Sequence, residues 1–235
     1  MSDRFNLPNA NTGSRRDWLC RSSALAMGLA CVEIVGASLV GAFSAQVLAA
    51  QEGIDYKVLP AKAPLESSDR IDVLGFFWFG CPHCFTLEPA LKAWAAKLPS
   101  DVAFRKVHVP WRDQLQQFYY TLEALNKLEL IDKVFVAIHK DKVSLQNAQQ
   151  MAEWIAGHGV NAKTFQEAFD SFGVRTRMKR AAQLAEAYKL EGVPAIGVAG
   201  RYLTAPSMAG SNQQALAVVD DLLANERRSG RGAKS

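Results

Sequence analysis

A nearly unbroken apolar run, Ile71-Asp72-Val73-Leu74-Gly75-Phe76-Phe77-Trp78-Phe79-Gly80, leads straight into Cys81-Pro82-His83-Cys84. A short apolar run bounded by charge on one side and glycine on the other suits a strand buried on both faces, as at the centre of a sheet. The segment that follows, Phe85 to Pro99, carries Leu87, Leu91, Trp94 and Leu98 at helical spacing. Pro89 is expected to kink that helix, because it lacks a backbone donor, and Pro99 to end it. Residues 102–109 alternate and read as a second strand. Strand, helix and strand in this order imply a parallel pair joined by a right-handed crossover. The expected fold class is α/β.

The rest of the chain falls into distinct stretches. Residues 51–69, with Pro60 and Pro64, read as an extended lead with a short edge strand at Tyr56–Leu59. From 113 to 190 the pattern is helical throughout. Gly157 and Gly159 stop one of these helices and Asn161 opens the next as an N-cap. So long a helical stretch within an α/β chain reads as an inserted all-helical subdomain, residues 112–190, between two halves at 50–111 and 191–226. The second half opens with a hairpin turning at Ala199-Gly200 and closes with an amphipathic helix capped by Ser211.

The two ends differ in character from this body. Residues 1–49 read as an export signal. Arg15, Arg16 and Arg21 precede an apolar stretch from Ala24 to Ala50, which closes on Val47-Leu48-Ala49, a small-residue cleavage pattern. Ser14 to Leu19 also resembles a twin-arginine signal. The stretch is long enough to span a bilayer, so an uncleaved membrane anchor is the alternative. Cleavage near Ala49 delivers the remainder to an oxidising compartment, the periplasm. Residues 227–235, with Arg227, Arg228, Arg231 and Lys234 among Gly and Ser, read as a disordered basic tail. The net charge of +4 over 235 residues comes with no basic stripe interleaved with aromatics, which argues against a nucleic-acid partner.

Of the four cysteines, Cys20 and Cys31 lie inside the export segment, so the exported part keeps only Cys81 and Cys84. Zinc would need two further ligands, and His108, His139 and His158 are scattered without metal spacing. They read as histidines with ordinary hydrogen bonds, and no metal site is expected. A c-type haem would need histidine where Phe85 stands. A structural bridge between positions so close removes little chain entropy. A redox dithiol remains, and it needs no added cofactor. At a strand-to-helix junction the free N–H groups and the positive helix end face Cys81 and favour its thiolate. His83 adds a donor or a positive charge, and Cys84, within the first turn, is the resolving partner. A stabilised thiolate makes the disulfide form the stronger oxidant.

FFWFGCPHCF, GVPAIGVAGRY and the long helical insertion together resemble the DsbA-type periplasmic thiol:disulfide oxidoreductases, a thioredoxin-fold family, over roughly residues 55–225. The resemblance implies a thioredoxin-like fold built from the two halves around the insertion. It implies that Cys81 forms the mixed disulfide with a reduced substrate, that Cys84 resolves it, and that Pro82 and His83 tune Cys81. It also implies a cis Pro194 facing the pair, with Val193 before it offering backbone to an extended substrate. The family carries a buried acid in the strand before the cysteines. Gly75 stands at the matching position, so Lys106, in the place of that acid's basic partner, is expected to find another partner or lie near solvent. Glu88, one turn beyond Cys84, is the candidate for a local charge network. Trp78 and Phe79 are expected to grip unfolded chains.

The implied partners are reduced or unfolded exported proteins and a membrane quinone-linked reoxidase of the DsbB type. The expected protein is a monomeric donor of disulfides. The alternatives are a disulfide reductase or isomerase, and a chaperone-like binder of unfolded exported proteins. The short lead before the first core strand is expected to leave no room for the dimerisation domain of an isomerase.

Overall fold

The computed structural model describes residues 50–111 and 113–230. The segment expected to be an export signal or an uncleaved anchor, 1–49, and the end of the expected basic tail, 231–235, lie outside the described residues. Five strands form one sheet: β1 (Tyr56–Val58), β2 (Ile71–Phe77), β3 (Val102–His108), β4 (Ala195–Val198) and β5 (Tyr202–Thr204), in the order β1-β5-β4-β2-β3. β2 and β3 run parallel, with Ile71 opposite Val102 and Phe77 opposite His108. The other pairings are antiparallel. The apolar run thus has neighbours on both edges, and every residue of β2 is buried.

The period of two along β2 divides its side chains between two cores. Ile71 and Val73 pack with Leu87 and Leu91 of α1 (Pro82–Ala95) and with Val219 and Leu222 of the closing helix. Leu74 and Phe76 pack on the other side, with Phe118, Phe135 and Phe165 of the helical insertion. That insertion comprises α2 (Asp113–Ala124), a single 3-10 turn (Leu128–Leu130), α3 (Ile131–His139), α4 (Ala148–Ala156), α5 (Ala162–Phe169) and α6 (Phe172–Ala187). Its starts are set by local chemistry: Asn147, Asn161 and Ser171 each accept a free backbone N–H of the first turn they cap. After β5 come the four-residue α7 (Pro206–Ala209) and α8 (Asn212–Arg228), the latter capped by Ser211 as its sequence implies. Among the described residues no helix is long and apolar enough to cross a membrane.

Three sequence expectations shift. The strand ends at Phe77, because the Cys81 N–H donates to the Trp78 carbonyl at 3.0 Å and folds Trp78–Gly80 into a turn. The helix starts at Pro82, which puts Cys84 in its first turn as expected, but it continues past Pro89 and stops at Ala95, short of Pro99. The basic tail begins later than its composition suggests. Arg227 and Arg228 belong to α8, and the Arg227 guanidinium makes two hydrogen bonds to Asp101 at 2.6 and 3.0 Å. The β4–β5 hairpin turns where expected, with Ala199 and Gly200 both at positive φ.

Gly197, in β4, is a position where any side chain would be in conflict. A Cβ there would lie 2.2 Å from the ring of Tyr188, which is fully buried and accepts the Gly200 N–H at 3.1 Å. Gly197→Ala is therefore expected to destabilise the protein by about 1–3 kcal/mol through overpacking, read as a lowered urea midpoint with an unchanged denaturant slope.

Candidate active site

Cys81 is the N-cap of α1, so its sulfur sits at the end of the helix where four backbone N–H groups lack helical partners. The Cys84 N–H donates to the Cys81 sulfur at 3.3 Å. Both thiols are free, and both residues are buried. The Cys81 pKa is brought down to about 6. The largest cause is the hydrogen bond from the Cys84 thiol. The N–H groups of Cys84 and His83 and the charge of His83 add to it, and together they outweigh burial. Cys84 moves the opposite way, far above the ordinary thiol range. It is the donor in that same bond, it is buried, and the charges of Cys81 and Glu88 oppose its ionisation. The pair is thus built as one thiolate and one thiol. Pro82 and His83 are exposed on the first turn of α1.

The Val193–Pro194 bond is cis, as the resemblance implied. The Cys81 sulfur lies 3.4 Å from the Val193 carbonyl, so the backbone before the proline borders the reacting atom. A groove of ≈ 440 Å³ runs from His83 and Thr86 past Val193 and Pro194 to α7 and the start of α8. Charged side chains, Lys57, Lys189 and Glu191, stand along it.

Lys106 and Glu88 meet. Lys106 Nζ donates to Glu88, and the two side chains retain only 14% and 8% of their exposure. Neither a solvated Lys106 nor a solvated helix charge at Glu88 describes them. The acid comes from the helix, because the strand position in register with Lys106 is Gly75, which has no side chain. A Cβ on Gly75 would meet the Phe104 ring at 3.2 Å and Leu91 at 3.7 Å. The space beside Gly75 is a small internal cavity of ≈ 10 Å³, bordered by Cys84, Glu88, Lys106 and Pro194. That is about the least volume that admits one water.

Two histidines hold the turn before Cys81, and no motif in the sequence marks this role. His108 is fully buried; its Nδ1–H donates to the Val109 carbonyl at 3.0 Å, and its bare Nε2 accepts the Phe79 N–H at 3.2 Å. Burial drives its pKa down to about 3, so it stays neutral. From the other side His139, at the end of α3, donates its Nε2–H to the Phe79 carbonyl at 2.8 Å and stacks on Phe85 with ring centres 5.0 Å apart. Phe79 itself is 0% exposed, its ring against Phe77, His108 and Phe135, so it grips no partner. Trp78 stays partly exposed. His158 bonds the Trp154 carbonyl in α4 and takes no part in the site.

Residues 111–217 match the family model described as a DSBA-like thioredoxin domain. The chain is 42% identical over 183 residues to the thiol:disulfide interchange protein DsbA of Bordetella parapertussis, covering 76% of this chain and 88% of that one. It is 40% identical to the protein of the same name from Azotobacter vinelandii over 179 residues, 74% and 84% of the two chains. The crystal structure of Pseudomonas aeruginosa DsbA superposes with a TM-score of 0.75 at 33% identity, over 77% of this chain and 97% of that one. The oxidoreductase DsbA from Xylella fastidiosa gives 0.70 at 28% identity, over 74% and 96%.

The depressed Cys81 pKa has a direct signature. In the reduced protein the ultraviolet thiolate absorbance is expected to appear with a midpoint near 6 and to vanish in Cys81→Ser. Folding lowers this pKa. The stability it contributes is therefore complete above the ordinary thiol value of about 8.5 and is lost as pH falls through about 6. Urea unfolding of the reduced protein, compared with Cys81→Ser across that window, checks the sign.

Proposed function

The chain belongs to the DsbA family of thiol:disulfide interchange proteins, and from that premise we propose that it donates the Cys81–Cys84 disulfide to reduced proteins newly exported to the periplasm. The observation that carries the direction of transfer is the place of the Cys81 sulfur at the N-terminus of α1, where it accepts the Cys84 N–H at 3.3 Å and its thiolate is favoured. A protein that stabilises its own reduced thiolate yields its disulfide readily.

In the proposed exchange, a substrate thiolate attacks the Cys81 sulfur of the disulfide. The Cys81–substrate bond forms, the Cys81–Cys84 bond breaks, and Cys84 leaves with the electron pair. Its raised pKa means it takes up a proton. Glu88 and Lys106, an ion pair, border the same small cavity as Cys84. A second substrate thiolate then attacks the substrate sulfur of the mixed disulfide, and Cys81 departs as a thiolate. The substrate loses two electrons and two protons. The protein gains both electrons and, above the Cys81 pKa, one of the protons; the other passes to water. Pro82 and His83 tune Cys81, and Val193 presents backbone to the extended substrate beside cis Pro194. The cysteine pair is the whole redox group in this reading. Recharging falls to a membrane quinone-linked reoxidase of the DsbB type, and the protein works as a monomer released from, or held by, its N-terminal segment.

Cys81→Ser is expected to abolish oxidation of a reduced unfolded protein. Cys84→Ser, first activated at Cys81 as a mixed disulfide with an aromatic thiol, is expected to lose that thiol to a substrate with a single cysteine and remain covalently joined to it, because neither Cys84 nor a second substrate thiol is there to resolve the bond. Oxidation surviving in Cys81→Ser contradicts the reading. Suppressed aggregation without any thiol chemistry in the unaltered protein would favour the chaperone-like alternative.

A further inference from the structure

Helix α3 of the insertion is fastened to α1 at both of its ends. At its start Asp132 pairs with Lys92, in the last turn of α1. At its end His139 lies flat on the ring of Phe85, in the first turn of α1, with ring planes 7° apart. Phe135, one turn back in α3, has its ring 6.0 Å from each of the two. The Lys140 ammonium stands 5.8 Å from the centre of the Phe85 ring. The residue so enclosed directly follows Cys84.

The same imidazole donates its Nε2–H to the Phe79 carbonyl at 2.8 Å. One side chain therefore holds the chain two residues before Cys81 and again at the residue after Cys84. His108 differs in this respect. It bonds the Phe79 N–H and packs on Phe77, Phe79 and Tyr119, so its contacts lie on the strand side of the turn. Between the two points that His139 holds, the Cys81 N–H closes the turn on the Trp78 carbonyl at 3.0 Å. The Cys84 N–H then meets the Cys81 sulfur at 3.3 Å. The field of a helix end fades within its first turn. A reacting atom keeps its benefit only when the packing and hydrogen bonds behind it hold it to within about 0.5 Å.

Resting on the reading of Cys81 as the exchange sulfur, we propose that His139 is a positioning residue for the exchange, clamping Phe79 to Phe85 so that the Cys81 sulfur stays aligned with the first turn of α1. It acts on the sulfur through these neighbours. Without the clamp the turn and the helix shift against each other, the sulfur loses alignment with the Cys84 N–H, and the reduced thiolate is less favoured. The disulfide is then given up less readily. The strength of the oxidant is in this way set partly from the helical insertion, by a residue 55 positions beyond Cys84.

The test compares two variants of the full chain in glutathione buffers, with the thiolate absorbance of each followed against pH. His139→Phe keeps a ring on Phe85 and loses the donor. It is expected to raise the [GSH]²/[GSSG] ratio at half reduction by about threefold to tenfold, the range that one net hydrogen bond covers, and to move the thiolate midpoint upward. His139→Gln keeps an N–H at the reach of Nε2 and is expected to return most of both changes. A merely structural His139 would lower the urea midpoint in either variant and leave the redox equilibrium and the thiolate midpoint where they were. That result overturns the proposal, as does a shift in His139→Gln equal to that in His139→Phe. If His139→Phe does not fold, Phe85→Leu is read in its place. It removes the ring that seats the imidazole, a shift in the same direction is expected, and an unchanged equilibrium overturns the proposal. The unaltered protein tests the donor reading by its own equilibrium, and the variants test His139 by their difference from it, so either can fail alone.

Discussion

One sulfur at one helix end organises this molecule. Cys81 caps α1, and the Cys84 N–H that the helix leaves free is directed at its sulfur. The same first turn places the Cys84 thiol as a donor to that sulfur, so stabilising one thiolate and suppressing the other is a single event. Everything around the turn serves to keep it in place. β2 delivers it from between two sheet neighbours, α1 and α8 close one face of the sheet, and the helical insertion closes the other.

The insertion does more than cover the sheet. His139 reaches from α3 to the Phe79 carbonyl while His108 takes the Phe79 N–H from β3. Both backbone polar groups of Phe79 are satisfied within an otherwise aromatic core, where either left unpaired would cost about 1–3 kcal/mol. Trp78 then turns outward next to a Phe79 that is wholly buried.

Much of this was legible in the chain, for physical reasons that also explain what was not. The β2–α1 junction is local: an apolar run, two cysteines and a helical period lie within 25 residues of each other. Caps such as Asn161 and Ser211 act on the turn they begin, so composition finds them. The Glu88–Lys106 pair is different, because it joins a helix residue to a strand residue 18 positions away, beside a Gly75 that has no side chain to offer. The His139–Phe79 bond joins positions 60 apart, and nothing near His139 announces it. The end of α8 is hidden from the sequence for a similar reason. Arg227 looks solvated among its neighbours, yet its partner Asp101 lies 126 positions away.

The account rests on the Cys81 thiolate being more stable than an ordinary thiol, which makes the disulfide a strong oxidant. The redox equilibrium of the protein against glutathione buffers measures this most directly, followed by tryptophan fluorescence or thiol trapping. The account predicts that the pair stays reduced until the buffer is strongly oxidising. A pair that stays oxidised in a reducing buffer would contradict it and mark the protein as a reductase.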